Sequence, residues 1–100
     1  MPGIQSQVTF GVGGGGATIS VGPVDAEAKK VDVWWNDVLV YSSTTPNQPL
    51  QSAIPATAIS GTNTLKLIVT FEDRSHVDYT QTYTAAAGTI VVKILNQVYP

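Results

Sequence analysis

The 100-residue sequence predicts an all-β domain, a sandwich or a barrel, and three observations predict it. Apolar residues recur with a period of two rather than 3.6, which is the strand signature. The apolar runs are short and are bounded by Gly, Pro, Asn, Asp and Ser, the residues of tight turns. Apolar residues make up 43% of the chain and charged residues 12%, about half the usual content of roughly 25%. That balance is the reverse of a disordered chain and suits one domain with its own core.

Each element follows from the local pattern. Gln5 to Phe10 and Ala17 to Val21 read as strands on either side of Gly11-Val12-Gly13-Gly14-Gly15-Gly16. Val31-Asp32-Val33-Trp34-Trp35 and Val38-Leu39-Val40-Tyr41 flank Asn36-Asp37, a pair that tolerates the positive φ of a two-residue hairpin turn. This turn predicts the pairs Trp35 with Val38, Trp34 with Leu39, Val33 with Val40 and Asp32 with Tyr41. One face is then Val31, Val33, Trp35, Val38 and Val40, wholly apolar and therefore the expected core side. Leu50 to Ile54 is a short strand closed by Pro55. Leu65, Leu67, Val69 and Phe71 alternate with polar residues along Thr64 to Phe71. Val77, Tyr79 and Tyr83 alternate likewise along Val77 to Thr84, after the polar loop at residues 72–76. The last strand is Thr89 to Leu95. Helix is confined to single turns at Ala26 to Lys30 and Ala56 to Ile59.

The stretch from Lys30 to Val40 resembles the hairpin of bacterial immunoglobulin-like domains, a valine-rich strand, an Asn/Asp turn and a second short strand. The stretch Ile59-Ser60-Gly61-Thr62-Asn63-Thr64-Leu65-Lys66-Leu67-Ile68-Val69 resembles the step by which those domains enter a long strand. The resemblance covers roughly residues 17 to 84. It implies an immunoglobulin-like two-sheet sandwich, here with an additional C-terminal strand. Asp37 stands where the family's turn places Gly, and there is no cysteine pair. The expected organisation is an N-terminal arm and Gly-rich joint over 1–16, the sandwich over 17–88, and a C-terminal docking segment over 89–100. Free-standing, cysteine-free domains of this kind are familiar on tailed-phage virions, where they decorate capsids or tails. Others sit in long secreted bacterial chains.

Composition narrows the function classes. Net charge is −2 and no basic stripe exists, so nucleic acid is not an expected partner. No apolar run approaches the roughly 20 residues that span a membrane, and the start carries no signal-peptide pattern. Without cysteine there is no disulfide, thiolate metal site or thiol nucleophile. The expectation is a protein made in the host cytoplasm and carried on a virion, or an extracellular module of a secreted protein. The glycine run contains a formal G-x-G-x-x-G, but a strand pattern follows it where a phosphate cradle needs a helix. Ser75, His76 and Asp78 contain the residue types of a hydrolytic triad, yet neighbouring strand side chains point to opposite faces. Glu72 and Asp73 lack the spaced oxygen ligands of a calcium loop. No catalytic residue, metal site or cofactor is expected.

Two features point to contacts instead. The hairpin register puts Trp34, Leu39 and Tyr41 on the face opposite the core, and Ile68 points the same way. A covering loop or arm, a protein interface or a glycan platform would each satisfy this patch. In the last strand Ile90, Val92 and Ile94 face one way and Val91 and Leu95 the other. Val91, Leu95, Val98 and Tyr99 therefore read as docking material, and a homo-oligomer or attachment to a capsid or tail lattice is expected.

Overall fold

The computed structural model describes residues 4–11, 15–22, 28–45, 50–85 and 88–94, with backbone alone at 88–89 and 91–94. Two antiparallel four-stranded sheets pack face to face. The strands are β1 (Ile4–Phe10), β2 (Ala17–Val21), β3 (Ala28–Trp35), β4 (Val38–Ser43), β5 (Leu50–Ile54), β6 (Thr62–Phe71), β7 (His76–Thr84) and β8 (Gly88–Ile94), with a single 3-10 turn at Ala56–Ala58. One sheet has the order β5-β2-β1-β8 and the other β4-β3-β6-β7. The chain changes sheet after β2, β4, β5 and β7. This is an immunoglobulin-like sandwich with an additional C-terminal strand.

The alternation read from the sequence becomes the core. Val31, Val33 and Trp35 of β3 and Leu65, Leu67 and Val69 of β6 are buried on the inner face of one sheet. Ile4, Val8, Phe10, Ile19, Val21 and Ile54 are buried on the inner face of the other. Phe10 and Trp35 meet across the sandwich, ring centroids 6.3 Å apart and planes tilted by 56°. Aromatic pairs prefer such tilted geometry to a face-to-face stack.

The residues expected to form an arm are part of the sandwich. β1 pairs with β2 from Ser6↔Val21 to Phe10↔Ala17 and with β8 from Ile4↔Ile94 to Phe10↔Gly88. It is an interior strand, held by backbone hydrogen bonds on both sides, because Ile4, Ser6, Val8 and Phe10 face the core. The glycine run is accordingly the loop of a β1–β2 hairpin, closed by the Gly11 N–H donating to the Gly16 carbonyl at 2.7 Å. Gly16 has φ +98°, and a Cβ there would stand 2.6 Å from the Ile54 carbonyl oxygen, so only glycine fits. It leads directly into β2. Ala28, Lys29 and Lys30, expected in a helical turn, open β3.

The hairpin register holds for two pairs and then shifts. Trp35↔Val38 and Trp34↔Leu39 are found, with Asn36 at φ 49° and Asp37 at φ 66°. A β-bulge follows, so Val33 pairs with Tyr41 rather than Val40, and Asp32 with Ser42 rather than Tyr41. Two residues of β4 oppose one of β3, the defining feature of a bulge. The core face expected on β4 is correspondingly reduced: Val40 is half-buried and Val38 is 60% exposed. β4 is an edge strand, so nothing beyond it covers Val38.

The register also orders the two ends of the sandwich. Ile4, the first described residue, pairs with Ile94, the last. The last residues of β2 and β4 and the turn after β6 lie at that pole. The Asn36-Asp37 turn, Gly11 and Gly16, the 3-10 turn and the last residue of β7 lie at the opposite pole. The molecule is elongated, 43 × 22 × 20 Å.

Candidate interaction surface

The outer face of the β4-β3-β6-β7 sheet is built by the side chains that alternate with the core. Cross-strand pairing arranges them in rows. One row is Leu39–Trp34–Lys66–Thr80 and the next is Ser42–Asp32–Ile68–Asp78. Trp34 and Ile68 are half-buried and Leu39 is 46% exposed. Of the expected patch, the structure therefore brings Trp34, Leu39 and Ile68 together on one outer face. Tyr41, 37% exposed, is displaced from that row by the bulge and stands opposite Val33.

The polar groups on this face are unequally partnered. Asp32 accepts a 2.7 Å hydrogen bond from the Ser42 hydroxyl and lies 3.7 Å from the Lys30 ammonium. Asp78 lies 3.0 Å from Nδ1 of His76. Lys66 makes no ion pair among the described residues. The indole N–H of Trp34 is shielded from solvent and has no acceptor among the described residues. A shielded donor without a partner costs about 1–3 kcal/mol, so this face carries an unmet hydrogen-bonding demand.

The other outer face differs in chemistry. Gln5, Gln7 and Thr9 of β1, Thr18 and Ser20 of β2, and Gln51 of β5 lie on it, all neutral and polar. An open cleft of about 410 Å³ is lined by Gln5, Gln7, Ser20 and Gln51 together with Ser6, Val21, Gly22 and Leu50. Period-two reading could have found this face, since β1 and β2 alternate apolar with Gln, Ser or Thr except at the inward Ser6.

The docking residues have a split outcome. Val91 lies in β8 opposite Gln7, and Leu95, Val98 and Tyr99 lie outside the described residues. The backbone of the last strand is paired with the chain's own β1.

The residue types of a triad do not assemble into a relay. His76 and Asp78 share a face of β7, but the Ser75 hydroxyl donates to Asp73 at 2.6 Å, away from His76. Asp73 also accepts the Ser75 N–H at 3.0 Å, and these two hydrogen bonds hold its carboxyl below the usual range. The arrangement is a side-chain-closed turn, with Arg74 at φ 73°. Among the described residues no three His, Asp or Glu side chains cluster as metal ligands. No helix among them is long and apolar enough to cross a membrane.

One polar constellation escaped the sequence reading. Asn63 is buried on the inner face of β6. Its Oδ1 accepts from Asn36 Nδ2 at 3.0 Å and from the Ser60 N–H at 2.8 Å, and its Nδ2 donates to the Ser60 carbonyl at 2.9 Å. Asn36 accepts the Thr64 N–H at 2.8 Å, and Trp35 Nε1 donates to the Ala58 carbonyl at 3.0 Å. The clamp fastens the hairpin turn to the β5–β6 connection. The signal was an Asn at a core position of the β6 alternation.

Compared with known protein-family models, with curated proteins and with solved structures, the chain matches none. The class that the fold defines is a two-sheet antiparallel β-sandwich.

Proposed function

We propose that this chain is a non-enzymatic interaction module, a virion-decorating immunoglobulin-like protein that acts through protein–protein contacts. The observation that carries the reading is the common pole of its two ends. β8 returns along β1, so Ile4 and Ile94 are neighbours. In a seven-strand sandwich the first and last strands finish at opposite poles, and the domain can be threaded into a linear array. The eighth strand turns this domain into a pendant attached at one pole, with the other pole projecting. Its exposed apolar positions, Leu39, Val38 and Tyr41, lie along an edge strand without a single charge. Edge strands ordinarily carry charge to prevent pairing, so an uncharged one is a contact surface.

The neutral polar positions that β1, β2 and β5 place on the outer face of the other sheet favour a second reading, an accessory or carbohydrate-binding module of a secreted bacterial enzyme that binds a neutral glycan in the cleft at Gln5, Gln7 and Gln51. Amide and hydroxyl side chains match sugar hydroxyls in both donors and acceptors.

Mass spectrometry and cryo-electron microscopy of particles from the organism that encodes the chain test the first reading. The chain is expected at stoichiometric abundance, as regularly placed projections attached by the Ile4–Ile94 pole. Its absence from purified particles, together with binding to a neutral polysaccharide that Gln7→Ala and Gln51→Ala abolish, would establish the second.

A further inference from the structure

We propose that the outer face of the β4-β3-β6-β7 sheet is the contact surface of a two-fold homodimer, with Lys66 of each copy paired to Asp32 of the other. This rests on the reading that the chain works through protein contacts, and it names the partner of that face as a second copy of the same chain.

The pattern of the face is self-complementary. Trp34 and Lys66 are direct neighbours in one row, and Asp32 and Ile68 in the next. The four form a square in which the apolar pair occupies one diagonal and the opposite charges the other. Adjacent strands lie about 4.8 Å apart and alternate residues of a strand about 6.8 Å apart. A two-fold axis laid in the interface along the Trp34–Ile68 diagonal brings Trp34 against Trp34 and Ile68 against Ile68. Seen in projection onto the interface, the same rotation brings the Lys66 position of one copy within about 3 Å of the Asp32 position of the other, across the roughly 10 Å gap of stacked sheets, and the reverse pair forms simultaneously. The lysine side chain is long enough to absorb that offset and the sheet twist. Each copy thus supplies both halves of both ion pairs.

The occupancy of the charges agrees with this arrangement. Lys66 is the cation of the face with no ion pair among the described residues. Asp32 is held in place by Ser42 and Lys30 and is set as an acceptor. A partner of uniform sign would leave either Lys66 or Asp32 facing like charge. A second copy leaves neither, and it covers Trp34, Leu39 and Ile68 together. A two-fold contact centred on four side chains of one sheet is small beside the roughly 800 Å² per partner of a standard interface, so a weak and reversible dimer is expected. Salt weakens it further by screening the two pairs.

Sedimentation of the whole chain over a concentration series up to about 1 mM tests this. Wild type is expected to pass from monomer to dimer, and Lys66→Glu and Asp32→Lys are each expected to remain monomeric at every concentration. The double variant Lys66→Glu/Asp32→Lys restores the dimer with the charges exchanged. Melting temperatures identify any variant that loses the fold. Independently of the variants, the Trp34 indole N–H resonance of wild type shifts with concentration while that of Trp35 stays fixed. A chain that is monomeric throughout, a dimer that survives both single changes, or a double variant that folds yet stays monomeric overturns the proposal. None of these outcomes decides whether the chain is carried on a particle, and its absence from particles does not affect the dimer.

Discussion

Two adjacent tryptophans have opposite fates because consecutive strand residues point to opposite faces. Trp35 is 1% exposed, packs on Phe10 and donates its indole N–H to Ala58. Trp34 lies outside the core with its N–H unpartnered. Trp35→Ala empties an inter-sheet site and is expected to reduce unfolding free energy by about 3–5 kcal/mol in chemical denaturation. Trp34→Ala is expected to reduce it by much less. Tyr83 is the residue whose protonation matters to the fold. Burial pushes its phenol above the ordinary range near 10, and the Ser6 hydroxyl beside it offsets this only in part, neither oxygen having a partner in hydrogen-bond geometry. The folded state therefore favours the protonated form. This contribution is complete below the ordinary tyrosine range and is lost as pH rises through it toward the folded-state value. Alkaline unfolding is expected to begin above about pH 10. Tyr83→Phe should move that onset upward while leaving stability at neutral pH little changed, and pH-dependent thermal melts read both.

At the scale of elements, local chemistry wrote most of the strands into the sequence and left their partners out. The Asn36-Asp37 turn, the buried face of β3 and the alternation of β6 were legible because each depends on neighbours in sequence. The bulge at Val40 was not, since no Gly or polar residue marks it within Val38–Tyr41. Neither was the interior position of β1, which depends on β8, some eighty residues away in sequence. The glycine run looked like a joint because its closing partners, Ile54 and the hairpin itself, lie outside the local window. The shared row of Trp34 and Leu39 and the outward position of Ile68 were legible, whereas the register of Tyr41, the first residue beyond the bulge, was not. The Asn36–Asn63 clamp shows how a turn is fixed by distant chain. Asn63→Ala removes four hydrogen bonds and takes the side-chain acceptor from the Ser60 N–H, while Asn36 Nδ2 keeps the Ala58 carbonyl. A loss of about 2–3 kcal/mol is expected in urea unfolding, larger than for Asn36→Ala, because Asn63 is buried and Asn36 half-exposed.

For the whole molecule, the consequential feature is the path of β8. It supplies a full-length partner to β1 and brings the end of the described chain back beside its beginning. On the proposed reading, a domain so built is attached at the pole where Ile4 and Ile94 pair. The sequence contains no cysteine, so introduced pairs can carry spin labels without background. Gln5 and Lys93 are cross-strand partners, and their Cα atoms should lie about 5 Å apart. Asp37 occupies the opposite pole, beyond the length of a strand. Distances between spin labels on Gln5→Cys/Lys93→Cys and on Asp37→Cys/Lys93→Cys measure this directly. The first pair is expected to be in near contact and the second to exceed about 20 Å. A first pair separated by the long axis of the molecule would contradict the one-pole geometry, and with it the pendant module built on it.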